Sequence, residues 1–94
     1  MSPRPAALHL RLYIAGDSPN SQMAMQRLQA FCAQHCSVPP VIEVIDVLRA
    51  PAKALEDRVV LTPTLVRVQP APTRRVVGNL AAEAALARAL DLDG

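Results

Sequence analysis

Apolar and polar positions alternate where the pattern first becomes readable: Leu8, Leu10, Leu12 and Ile14 are separated by His9, Arg11 and Tyr13. A period of two places the four aliphatic side chains on one side of a strand. Gly16-Asp17-Ser18-Pro19 ends it. Ser18 suits the cap of a helix whose first residue is Pro19, where the missing N–H costs nothing. The period then lengthens. Met25, Leu28, Cys32 and Cys36 recur at helical spacing beside Ala24 and Phe31, while Gln22, Gln26, Gln29 and Gln34 lie mostly off that stripe. This predicts an amphipathic helix of about four turns, stopped by Pro39-Pro40. Val41 to Val47 is almost continuously apolar and β-branched, which suits a central strand covered on both faces. Strand, helix and strand in this order make a right-handed parallel crossover.

The second half holds shorter signals. Pro51 opens a short helix through Ala54, Leu55 and Glu56. Arg58-Val59-Val60-Leu61 is β-branched and reads either as a strand or as the end of that helix; a segment with two states is what a bistable fold needs. Thr64 to Val68 reads as a strand and Arg74 to Val77 as its antiparallel partner, joined by the stiff loop Gln69-Pro70-Ala71-Pro72-Thr73. Gly78-Asn79 punctuates. Leu80 to Leu92 contains six alanines, with Leu80, Ala84, Leu86, Ala87 and Leu90 on one side, and reads as a closing helix. The result is β-α-β-α-β-β-α: a single α/β domain over 1–94 with a mixed four-stranded sheet in the thioredoxin-like arrangement. Pro3 and Pro5 mark residues 1–7 as a loose arm.

Composition narrows the function. The chain has 94 residues, 51% of them apolar, enough for one modest core. Only Tyr13 and Phe31 are aromatic, so the core is aliphatic and platforms for stacking bases or sugars are lacking. The net charge is +2, acids and bases are interspersed, and there is no Lys/Arg run, which argues against a nucleic-acid partner. No apolar run reaches transmembrane length, and Met1-Ser2-Pro3-Arg4-Pro5 does not read as a signal peptide. Two cysteines fit a reducing compartment, with the cytoplasm as the default.

Candidate chemistry is sparse. Ser18-Pro19-Asn20-Ser21 stands where a thioredoxin-like domain carries Cys-x-x-Cys. A serine cannot form the low-pKa thiolate that disulfide exchange needs. Ser18 and Ser21 are therefore either a vestigial active-site loop reused for contact or simple helix capping. Cys32 and Cys36 lie one turn apart, which is not the redox spacing. With His35 they lack an evident fourth zinc ligand and do not follow the haem-attachment order, so they read as small buried hydrophobes. No metal, cofactor or catalytic residue is expected. His9, on the outer face of the first strand, reads as solvated or locally hydrogen-bonded. Met25 reads as core and Met23 as an exposed, adaptable contact. Arg58, Arg67, Arg74 and Arg75 offer a basic face for an acidic partner surface, because the guanidinium fork pairs carboxylates in two places; the alternative is a solvated strand and loop surface. Pro63 precedes the third strand, where thioredoxin-like folds hold a cis proline beside the old active-site loop, so a cis Thr62–Pro63 bond is expected.

Five segments in order, Leu12-Tyr13-Ile14-Ala15-Gly16, Ser18-Pro19-Asn20-Ser21, Val44-Ile45-Asp46-Val47-Leu48, Thr62-Pro63-Thr64-Leu65 and Arg74-Arg75-Val76-Val77-Gly78, resemble the KaiB family of bacterial circadian clock proteins from about Leu8 to Leu92. The resemblance implies a protein without catalysis of its own that binds the ring ATPase KaiC, helps to sequester KaiA and times KaiC phosphorylation. It also implies two folds, a tetrameric ground state and a monomeric thioredoxin-like state that binds KaiC. Arg58, Arg67, Arg74 and Arg75 match basic positions of the family, whereas Met23 stands where a basic residue is common. Asp91-Leu92-Asp93-Gly94 closes the chain where the family continues with an aromatic residue and an acidic tail. The Ala-rich closing segment favours helix over the strand that the ground state requires, so a thioredoxin-like monomer is expected and the tetrameric fold is the alternative. Two other functions compete: a thioredoxin-like redox or stress-response protein, which would lack its paired cysteines, and an interaction domain for a histidine kinase system.

Overall fold

The computed structural model describes residues 8–91; the arm expected over residues 1–7 and the Leu92 end of the closing helix lie outside them. The elements run β1 (His9–Ile14), α1 (Pro19–His35), β2 (Val41–Asp46), α2 (Pro51–Glu56), β3 (Thr64–Gln69), β4 (Arg74–Val77) and α3 (Glu83–Ala89). The sheet order is β2-β1-β3-β4. β1 is parallel to β2 and antiparallel to β3, and β3 is antiparallel to β4. This is the mixed four-stranded sheet expected from the sequence.

Alternation along β1 sets the two layers. Leu10, Leu12 and Ile14 face one way and join Leu65, Leu28, Phe31, Leu80, Leu86 and Leu90 in the larger core between the sheet, α1 and α3. Tyr13 faces the other way and packs with Ile45, Ala54 and Val66 under α2. α1 begins as expected: Ser18 is its N-cap, and the Ser21 N–H donates to Ser18 Oγ at 3.3 Å.

Three expectations change. β2 is an edge strand, and Val41 and Val44 are exposed. Its apolar run is therefore not covered on both faces; the central strands are β1 and β3. The Arg58–Leu61 segment is neither strand nor helix. Arg58 adopts φ 54° just past α2, the Val59 N–H donates to the Ala54 carbonyl at 2.8 Å, and the Arg58 N–H donates to Leu55 O at 3.1 Å. That pair of bonds around a left-handed residue is a Schellman cap, and it turns the chain away from any strand path. The closing helix starts at Glu83 rather than Leu80. Leu80 has φ 62°, outside the helical region, and this drops its side chain into the core. Asn79 Oδ1 accepts from the Ala81 N–H at 3.3 Å, a local bond that competes with helix formation.

Arg67 departs furthest from expectation. It pairs in register with Leu10 and so faces the larger core, with 0% of its surface exposed. Its guanidinium donates to Asp91 Oδ2 at 2.9 Å and to the Pro72 carbonyl at 2.9 Å, while Nε has no partner among the described residues. Arg67 thus ties the turn after α3 to the β3–β4 loop and is not part of an exposed basic face. Arg67→Glu buries a charge against Asp91 and is expected to destabilise the fold by about 3–5 kcal/mol, whereas Arg74→Glu on the surface costs about 1 kcal/mol or less. Urea unfolding of the two variants checks this; similar losses would contradict it.

Candidate functional site

On the α2 side of the sheet, one polar network joins four elements. In-register pairing puts Arg11 of β1 beside Glu43 of β2. The Arg11 guanidinium donates to Glu43 Oε1 at 3.1 Å and to Asp57 Oδ2 at 3.1 Å. The buried Tyr13 hydroxyl donates to the same Asp57 carboxylate and also reaches the Lys53 carbonyl at 3.2 Å. Lys53 Nζ lies 3.4 Å from Glu43 Oε2, and His9 Nε2 lies 3.6 Å from Glu43 Oε1. His9 thus lies just beyond hydrogen-bond distance of Glu43. Arg75 approaches from β4, donating to the Asp57 carbonyl at 2.7 Å and the Arg58 carbonyl at 3.1 Å. These are carbonyls that the end of α2 leaves unpaired.

The charges in this network are shifted by identifiable causes. Burial alone would raise the Asp57 carboxyl, but hydrogen bonds from Tyr13 and Arg11 outweigh it and hold the group below its ordinary 3.8. The Arg11 hydrogen bond holds Glu43 below its ordinary 4.5. Burial, with the Asp57 bond adding to it, pushes Tyr13 from 10.0 up to about 12. The network is a fastening between α2 and the sheet.

The loop at the start of α1 is also structurally occupied. The Ser18 hydroxyl donates to Ser21 Oγ at 2.7 Å, and the Ala15 N–H donates to the same oxygen at 3.2 Å. Ser21 is fully buried, so the hydroxyls close the loop on itself. Gly16 turns the chain at φ 57°, and its N–H donates to Asp46 Oδ1 at 3.1 Å. The Thr62–Pro63 peptide bond is cis. Cys32 is buried and Cys36 half-buried, both as free thiols. Burial and the neighbouring Cys36 push the Cys32 thiol up to about 12, far from a reactive thiolate. Both pack against the larger core. Met25 also packs there, and Met23 is half-buried rather than exposed.

The remaining predicted arginines converge on β4. Arg74 and Arg75 line an open concavity of about 430 Å³ with Val76, Val77, Ala85 and Arg88, and Arg58 adjoins Arg75. Arg88 was missed in the sequence; its signal is that it is the single cation in the Ala-rich closing segment. Arg11 and Asp57 were also missed, because a separation of 46 residues hides their pairing. Leu55, Val60 and Leu61, flanking Arg58 in the chain, are exposed.

A protein-family model described as the KaiB domain matches residues 11–92. The chain belongs to the KaiB family. Its relatives include the circadian clock oscillator protein KaiB of Synechococcus elongatus, 40% identical over 98% of this chain and 89% of that protein, and KaiB1 of Synechocystis, 38% identical over 98% and 88%. Among solved structures, the N-terminal domain of Synechococcus elongatus SasA superposes with a TM-score of 0.76 at 30% identity, covering 100% of this chain and 95% of that one. Mitochondrial thioredoxin 3 of Saccharomyces cerevisiae, with a TM-score of 0.71 at 20% identity over 95% and 82% of the two chains, shows the shared fold. This KaiB-family chain therefore has the thioredoxin-like architecture with serines in the redox loop.

Depressed carboxyl values mean that the stability contributed by Asp57 and Glu43 is complete above their ordinary 3.8 and 4.5 and is lost as pH falls through their lower folded values. The raised Tyr13 contributes stability that is complete below 10.0 and is lost as pH rises toward about 12. Denaturation midpoints are expected to fall at both ends. Tyr13→Phe should cost about 1–3 kcal/mol at neutral pH and shallow the alkaline fall; an unaltered alkaline limb in that variant would refute the assignment.

Proposed function

We propose that this KaiB-family protein is a non-catalytic clock regulator. In its thioredoxin-like state it binds a KaiC-type ring ATPase in the cytoplasm and modulates that ATPase's phosphorylation cycle, with a KaiA-like protein as a further partner. Family membership sets the class. The observation that supports this surface is the contact of Arg75 with Arg58, with Arg74 next to Arg75 on β4 and exposed Leu55, Val60 and Leu61 flanking Arg58 in the chain. Mixed apolar and arginine-rich surface suits a protein partner, and the guanidinium fork suits an acidic one. Arg67 has no part in that contact, because its side chain is buried.

The redox alternative is disfavoured by the loop chemistry. Ser18 and Ser21 bond to each other, and the cysteines sit in the core away from that loop. Insulin reduction above the uncatalysed rate would revive it.

Arg58→Glu, Arg74→Glu and Arg75→Glu are each expected to weaken binding to a KaiC-type ATPase by about tenfold or more, while the circular-dichroism spectrum stays that of the parent. Biolayer interferometry with the intact ring measures this. Parent-like affinity in all three variants would overturn the proposed surface, and no binding by the parent would overturn the proposed partner. Light scattering is expected to show a monomer.

A further inference from the structure

The concavity beside β4 is lined by residues from both faces of that strand. Arg74 and Val76 are in register with Arg67 and Leu65 on the α3 side, while Arg75 and Val77 are in register with Val66 and Thr64 on the α2 side. The same hollow is lined from α3 by Ala85, Arg88 and Ala89. β4 is the last strand of the sheet, so among the described residues no further strand pairs with its outer edge.

The phase of the hydrogen-bond ladder gives the chemistry of that edge. The Gly78 N–H donates to the Pro63 carbonyl at 2.8 Å. In an antiparallel pair, hydrogen-bonded and non-bonded positions alternate, so Val76 and Arg74 bond inward to β3 while Arg75 and Val77 turn their N–H and C=O groups outward. The far side of the sheet gives the same phase: Val47 N–H donates to Ile14 O at 2.9 Å and Val41 N–H to Leu8 O at 2.8 Å, which sends the even residues of β1 to β2 and its odd residues to β3. Among the described residues, no backbone or side-chain hydrogen bond reaches the outward groups of Arg75 and Val77. The side chains beside them are basic. Arg74 and Arg88 have no carboxylate partner among the described residues, and Arg75 spends its guanidinium on carbonyl oxygens.

Arginines on a free edge also guard against pairing with a copy of the same strand, since two β4 strands side by side would crowd like charges. That guard is selective, because it admits a strand of opposite charge. From this edge we infer that β4 takes up an extended acidic segment of a partner protein as a fifth, antiparallel strand. Its residues would meet Val77, Val76, Arg75 and Arg74 in turn, giving the order apolar, apolar, acidic, acidic. Backbone bonds to Arg75 and Val77 supply the pairing, and Arg74, Arg75 and Arg88 select the charge. This deepens the proposed function by giving its basic surface a binding mode.

The probe is a capped peptide Thr-Val-Ile-Glu-Asp-Thr, titrated into the full chain with amide hydrogen exchange followed by NMR. The Arg75 and Val77 amides are expected to gain protection. Replacing both acids by lysine, or N-methylating the backbone positions that face Arg75 and Val77, should each weaken binding by about tenfold or more. Val77→Pro removes one outward donor and leaves the inward bonds intact, as proline on a strand edge does; it should weaken peptide binding with little change in melting temperature. Equal binding of the N-methylated peptide would overturn strand addition, and equal binding of the lysine peptide would overturn the acidic class. Protection of Arg75 and Val77 in the free protein that rises with its concentration would assign the edge to a second copy instead. The peptide result stands apart from the ATPase assay: an edge that binds the peptide in a chain that ignores the ring ATPase leaves strand addition standing and removes only the partner.

Discussion

β1 is the strand on which the other elements depend. It pairs on one edge with β2 and on the other with β3. Its leucines and Ile14 form the floor of the core under α1 and α3, and Tyr13 on its reverse anchors the layer under α2. A strand used on both edges and both faces cannot shift register by one residue. The shift would expose Leu10, Leu12 and Ile14 and drive His9 and Arg11 into the aliphatic core. The small α2 layer has little apolar surface of its own, and Asp57, held by Arg11 and Tyr13 together, ties it to the sheet.

Four arginines that look equivalent in the sequence have different physical roles. Arg67 points inward because its strand position is in register with Leu10, and it is held by Asp91 and Pro72. Arg75, on the opposite face of the neighbouring strand, caps the carbonyls at the end of α2. Arg74 and Arg58 are exposed. Burial separates a structural ion pair, whose loss leaves an uncompensated charge, from surface charges whose fields extend into the solvent.

The loop that would carry redox chemistry in a thioredoxin is used up by its own hydrogen bonds. Ser18 and Ser21 bond to each other and to the backbone, so these hydroxyls serve the turn into α1. The two edges of the sheet differ: β2 carries exposed valines beside Glu43 and Asp46, and β4 carries arginines beside backbone groups that have no partner among the described residues.

Local pattern was sufficient where one element carries its own signal. Alternation gave β1, the Ser18-Pro19 cap and a stripe of apolar residues gave α1, and the proline-bounded segments gave α2, β3 and β4, each ending within a residue or two of where the structure places it. The serine loop was also legible, because capping is a bond between near neighbours. The tertiary structure alone put β2 at the edge, since an apolar run reads the same whether or not a layer covers it. It alone delayed the start of α3, because core burial of Leu80 outweighed the helical preference of the alanines before Glu83. The burial of Arg67, the pairing of Arg11 with Asp57 and the gathering of Arg88 with Arg74 depend on strand order and register between distant segments. A side chain's type fixes what it is able to bond, and the register of its strand fixes which face it occupies and what it meets there.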